Sequence, residues 1–139
     1  MNERMKKNIK EYYEQIIELT AQLLKNYGYQ RSGGLGVFYK YNSDKTKGYL
    51  IGFRKSLDNT HDFCIFNILY GCISIDELRN FGIHSNKITL KDLKTMIMNG
   101  YSITNHSHKL DNFIISNETV NNYYRLNILP ELEKILSIL

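Results

Sequence analysis

The run "DFCIFNILYGCIS" over residues 62–74 restricts what this chain can fold into more than any other. Phe63, Ile65 and Leu69 alternate with Cys64, Phe66, Ile68 and Tyr70, so both faces of an extended segment are apolar. Such a strand needs cover on two sides, which predicts a central strand in a layered domain. The longest apolar stretch, Phe63 to Ile75, is broken by Asn67, Gly71 and Ser74 and falls short of the roughly 20 residues that span a bilayer. No membrane partner is expected.

The segments around this strand supply the cover. Met5, Ile9, Tyr12, Tyr13, Ile16, Leu19, Leu23 and Leu24 recur at helical spacing and predict an amphipathic helix from Glu3 to Tyr27, stopped by Gly28. At 1.5 Å per residue it would run about 37 Å along the sheet. "VFYKY" (Val37 to Tyr41) and "YLIGFRKS" (Tyr49 to Ser56) read as a hairpin closed by "NSDKTKG". "SIDELRNFG" carries a helical turn ending at Gly82. Thr89 and Asp92 open a short second helix in the manner of a capping box.

Two further strands are predicted at Tyr101 to Thr104 and at Asn112 to Ser116. The last segment reads as a helix with Asn117 as N-cap and Val120, Tyr124, Ile128, Leu132, Ile135 and Leu139 at helical spacing. Pro130 predicts a kink or break near Asn127 to Leu129, because proline lacks the amide proton and clashes with the preceding turn. The order α-β-β-β-α-β-β-α describes a single α+β domain over residues 1–139. Its mainly antiparallel sheet of about five strands is packed by a long N-terminal helix and a C-terminal helix. With 139 residues and 42% hydrophobic content, one core suffices.

Chemistry-bearing patterns are sparse. The glycines of "RSGGLGVFYKY" follow a helix and precede a strand, the reverse of a dinucleotide fingerprint, so they read as a connector in which glycine permits positive φ. His106, His108 and Asp111 could make a three-ligand metal set, but the preferred reading is of exposed loop histidines, with no metal and no cofactor expected. Cys64 and Cys72, eight apart, fall on one face of the central strand too far apart to bridge. They read as buried structural thiols, which fits a reducing compartment. "MNERMKKNIKEYYEQ" lacks the apolar stretch of a secretory signal, so a cytoplasmic location is expected. No catalytic residues are assigned.

Aromatic and basic residues interleave on the hairpin, with Phe38, Ile51 and Phe53 expected inward and Lys or Arg outward. Tyr39, Lys40, Tyr41, Arg54, Lys55 and Ser56 are accordingly the expected partner-binding set. "NYGYQRSGGLGVFYKY", "GFRKS" and "DFCIFNILYG" together resemble the bacterial domain-of-unknown-function 4304 family. The likeness lies in Gly28, Tyr29 and Arg31 after the first helix, in Phe38 and Tyr39, in Lys55 and Ser56, and in Phe66, Ile68 and Gly71. Arg54 stands where the family pattern has glutamine. The resemblance spans roughly Asn26 to Gly71; it implies an α+β fold and brings no activity with it.

A net charge of +4 and eleven tyrosines fit a protein that binds a partner. The leading expectation is an immunity protein that neutralises a bacterial toxin by occluding its active site. The alternatives are a nucleic-acid-binding protein using a basic aromatic sheet face and a small metal-dependent enzyme built on His106 and His108.

Overall fold

The computed structural model describes residues 8–32, 36–56, 59, 63–84, 86–98, 107–114 and 116–139. Helix α1 (Ile9–Lys25) is capped by Asn8, whose side chain accepts the Glu11 N–H at 2.9 Å. This places the helix start at Ile9 rather than Glu3, gives a length of about 26 Å, and leaves Met5 outside the described residues. Ile9, Tyr12, Tyr13, Ile16, Ile17, Thr20 and Leu24 form its buried stripe. The helix ends as the spacing predicts. Gly28 adopts φ +84°, and the Tyr29 N–H reaches back to the Leu24 carbonyl at 3.0 Å, a Schellman closure that brings Tyr29 and Leu24 into one core.

Five antiparallel strands follow one another in space as in sequence: β1 (Gln30–Arg31), β2 (Val37–Tyr41), β3 (Lys47–Lys55), β4 (Cys64–Ser74) and β5 (His108–Leu110). The β2–β3 hairpin is present as expected. Its turn is held by Asn42, which accepts the Lys47 N–H at 2.9 Å, and by Asp44, which accepts the Thr46 hydroxyl at 2.7 Å. Those Thr46 bonds stabilise the ionised form and hold the Asp44 carboxyl below its usual range.

The predicted α+β class and mainly antiparallel sheet are observed, with a different set of short strands. β1 was not foreseen, the strand expected at Tyr101 to Thr104 lies outside the described residues, and Asn112 and Phe113 form a turn in place of a strand. The chain pairs β5 with β4 from a start four residues earlier than Asn112, matching His108 with Phe66 and Leu110 with Cys64.

Helices cover the sheet on both sides. α1, α4 (Asn117–Tyr123) and α5 (Leu129–Ile138) share one core with Phe38, Ile51, Phe53, Cys64, Phe66 and Ile68. On the opposite side, α2 (Ile75–Asn80) and α3 (Leu90–Met98) bury Leu50 and Ile73 beneath Leu78, Ile88 and Leu93. β4 is therefore internal, but its second face is covered only in part, since Ile65, Asn67 and Leu69 remain half-buried.

Local capping matches the sequence at α3, where the Asp92 N–H donates to Thr89 Oγ1 at 3.2 Å and the Thr89 N–H donates to Asp92 Oδ2 at 2.9 Å. For α4 the cap is Ser116 rather than Asn117, with a reciprocal Thr119 bond. Pro130 has the expected consequence in a particular form. The chain widens into a π-helical turn over Tyr124–Ile128, and Pro130 enters the first turn of α5, where no amide proton is needed. No helix among the described residues is long and apolar enough to cross a membrane.

Candidate functional site

Strand alternation and register decide what lies on the α3 side of the sheet. Val37, Gly52 and Leu69 form one row across β2, β3 and β4, with Tyr39, Leu50 and Gly71 in the next row. Further along are Tyr41, Gly48 and Ile73, where α3 lands. Gly52 has no side chain, so the row around it is sunken between Val37, Leu69 and Leu50. A Cβ built there would meet Leu50 Cδ2 at 3.6 Å and Val37 Cγ2 at 4.0 Å, ordinary contacts in open room.

The result is a groove of about 400 Å³ lined by Val37, Leu50, Gly52, Leu69, Arg54 and Lys94. Its size is at the low end of small-ligand sites. Arg54 lies on the same side two residues beyond Gly52, roughly 7 Å along the strand. Lys94 projects from α3, and its ammonium donates to the buried Ser32 hydroxyl at 3.2 Å, which fixes it at the groove wall. Among the described residues neither cation is engaged in an ion pair. An apolar floor flanked by two cations is built to take an apolar group that carries negative charge.

The six residues expected to bind a partner are divided by the sheet. Tyr39, Tyr41 and Arg54 point to the α3 side, Lys40 and Lys55 to the α1 side, and Ser56 lies past the strand end with its N–H donating to the Ile65 carbonyl at 2.8 Å. The expectation that lysines point away from Phe38, Ile51 and Phe53 is corrected: Lys40 and Lys55 have the same parity as those residues. Both hold their ammonium groups over aromatic rings. Lys40 Nζ is 4.9 Å from the Tyr29 centroid and 5.3 Å from that of Tyr49, and Lys55 Nζ is 5.2 Å from that of Tyr13.

Tyr39 and Tyr41 meet edge to face at 5.6 Å, and the Tyr39 hydroxyl donates to Gln30 Oε1 at 3.3 Å. Burial, then the neighbouring Tyr39 and Asp92, push the Tyr41 hydroxyl above its usual range. Gly52 and Lys94 are groove residues that sequence reasoning did not single out. A glycine inside a strand pattern was the available signal for the first; nothing local marks the second.

A second cavity of about 370 Å³ lies at the start of α1, between Lys10, Tyr13, Lys55, Asn59, Phe63 and Cys64. Asn59 clamps β4 there: its side chain accepts the Ile65 N–H at 2.7 Å and donates to the Ile65 carbonyl at 3.2 Å and to Cys64 Sγ at 3.4 Å. Burial pushes the Cys64 thiol up to about 11, so it is a protonated packing group at neutral pH. Cys64 is buried as expected, whereas Cys72 is only half-buried; both are free.

His108 overturns the exposed-loop reading. It is fully buried, stacks on Phe66 with ring centroids 5.2 Å apart, and its Nε2 is bonded to the Glu131 carboxylate on α5. Nδ1 lies 3.3 Å from the Tyr123 hydroxyl. The imidazole therefore joins β5 to the C-terminal helices. His106 lies outside the described residues, and Asp111 accepts the Phe113 N–H in the turn after β5. Among the described residues no three His, Cys, Asp or Glu side chains converge as metal ligands do. Comparison with known protein families, curated proteins and solved structures finds no match to this chain.

Proposed function

We propose that the protein is a partner-binding module, most concretely an immunity protein that neutralises a bacterial toxin in the cytoplasm by occluding its active site. The observation that carries this reading is the groove over Gly52, with its apolar floor and the Arg54 and Lys94 cations at its rim. A concave apolar pocket is where a partner's anchoring side chain gains most on binding, and a surrounding of tyrosines excludes water at small entropic cost. Tyr39 and Tyr41 lie on this same side of the sheet. The net charge of +4 favours a toxin whose active-site surface is acidic or neutral. The likeness to the domain-of-unknown-function 4304 family is part of this proposal and supplies no activity of its own.

The reading expects a toxin domain to be encoded immediately upstream, and the test is co-expression with it. Growth should be rescued, and the two chains should co-purify through moderate salt with roughly 1,600 Å² buried between them. Absence of both rescue and co-purification rejects the reading.

A further inference from the structure

We infer that the groove over Gly52 is a seat for an acidic segment of a partner protein, one apolar side chain entering the groove while adjacent carboxylates meet Arg54 and Lys94. The inference rests on the partner-binding reading and specifies the chemistry of that partner. Three features point to it.

The floor beside Gly52 is apolar on three sides, with Val37 and Leu69 across the strands and Leu50 along β3, while Arg54 lies in the other direction along β3. The missing side chain is what makes the floor concave. An extra methyl would meet only ordinary contacts there, so the core does not require glycine for space. The two cations come from different elements, Arg54 from β3 and Lys94 from α3, so they flank the floor rather than fill it. The Lys94 ammonium donates to the Ser32 hydroxyl at 3.2 Å, and among the described residues no carboxylate pairs with either cation. An anionic segment therefore has no ion pair of these two cations to break among the described residues.

The inference is tested by titrating the full chain with capped tripeptides and following the backbone amides of Gly52, Arg54 and Leu69 by NMR. A Glu-Phe-Asp tripeptide should give saturable shifts at these positions, with a Kd of about 1 mM for so short a segment. Its Gln-Phe-Asn and Glu-Ala-Asp counterparts should each bind about tenfold more weakly. Gly52→Ala and the pair Arg54→Gln with Lys94→Gln should weaken the first tripeptide to a similar degree. Equal binding of the neutral tripeptide, absence of any saturable shift, or tighter binding of free 3-phenylpropionate than of the tripeptide overturns it; the last outcome would mark a small-carboxylate site instead. A toxin still neutralised by the Gly52→Ala and Arg54→Gln variants removes the groove from the interface while the immunity reading stands. Tripeptide binding without toxin rescue keeps the groove and removes the immunity reading.

Discussion

Gly48 lies so close beneath Leu93 that a Cβ on the glycine would come within 2.9 Å of Leu93 Cδ2 and 3.3 Å of its Cδ1, with Ile88 Cγ2 at 3.2 Å. Leu93 is itself buried in the α2–α3 core, which limits how far it can turn away. Gly48→Ala should cost about 1–3 kcal/mol by overpacking the α3 contact. Gly52→Ala, four residues along on the same face, meets its neighbours at 3.6 Å and beyond and should fall within about 0.5 kcal/mol of the parent. Urea unfolding of the two variants measures the contrast. Equal costs would mean that α3 does not rest on Gly48 as described.

Removing one partner of the His108–Glu131 pair breaks the bond that ties β5 to α5 at a site where His108 is fully buried. Glu131→Ala and His108→Ala should each destabilise by about 3 kcal/mol, and the double variant by clearly less than their sum. A double-mutant cycle from chemical denaturation checks this. Additive costs would show that the contact carries no coupling.

Asn59→Ala deletes the two bonds to the Ile65 backbone and the contact to Cys64 Sγ. The expected loss is about 1 kcal/mol, because the half-buried Ile65 amide proton is left without its side-chain acceptor. Reaction of Cys64 with an aromatic disulfide should accelerate in the same variant. Unchanged kinetics with Cys72 blocked would contradict the clamp.

Alkaline pH should destabilise the protein. Burial raises the folded-state pKa of Cys64 from 9.0 to about 11 and pushes Tyr13, Tyr29, Tyr123 and Tyr124 upward as well. A folded pKa above the unfolded one means that the unfolded chain releases protons first. The contribution of Cys64 is thus complete below pH 9 and is lost as pH rises to about 11, with the tyrosines extending the decline from their usual value of 10.0 upward. Thermal melts between pH 8 and about 11 should fall steadily, less steeply in Cys64→Ala. A flat profile would refute the shifts.

Much of the fold was legible because its signals are local. The α1 stripe, the β2–β3 hairpin, the Thr89 and Asp92 box and the break before Pro130 each depend on residues within a few positions of one another. The short strands were not legible, since β5 is defined by pairing His108 with Phe66, far away in sequence. For the same reason His108 read as a loop residue: its reason for burial is Glu131, on another element. The division of the expected binding set was visible in principle. Phe38 and Lys40, or Phe53 and Lys55, share parity, and period two outranks the habit of placing every lysine outward. The groove depends on where α3 lands, and no local pattern encodes that.

The core shared by the first and last helices bears on how the chain is made. Leu132 and Ile135 pack in the same cluster as Ile9, Tyr12 and Ile16. A nascent chain that has grown only as far as residue 128 holds the sheet and α1 but lacks the side chains that complete their cover. Such an intermediate exposes apolar surface until α5 has emerged and docks, so α1 and the sheet reach their full cover only once Leu132 and Ile135 are in place.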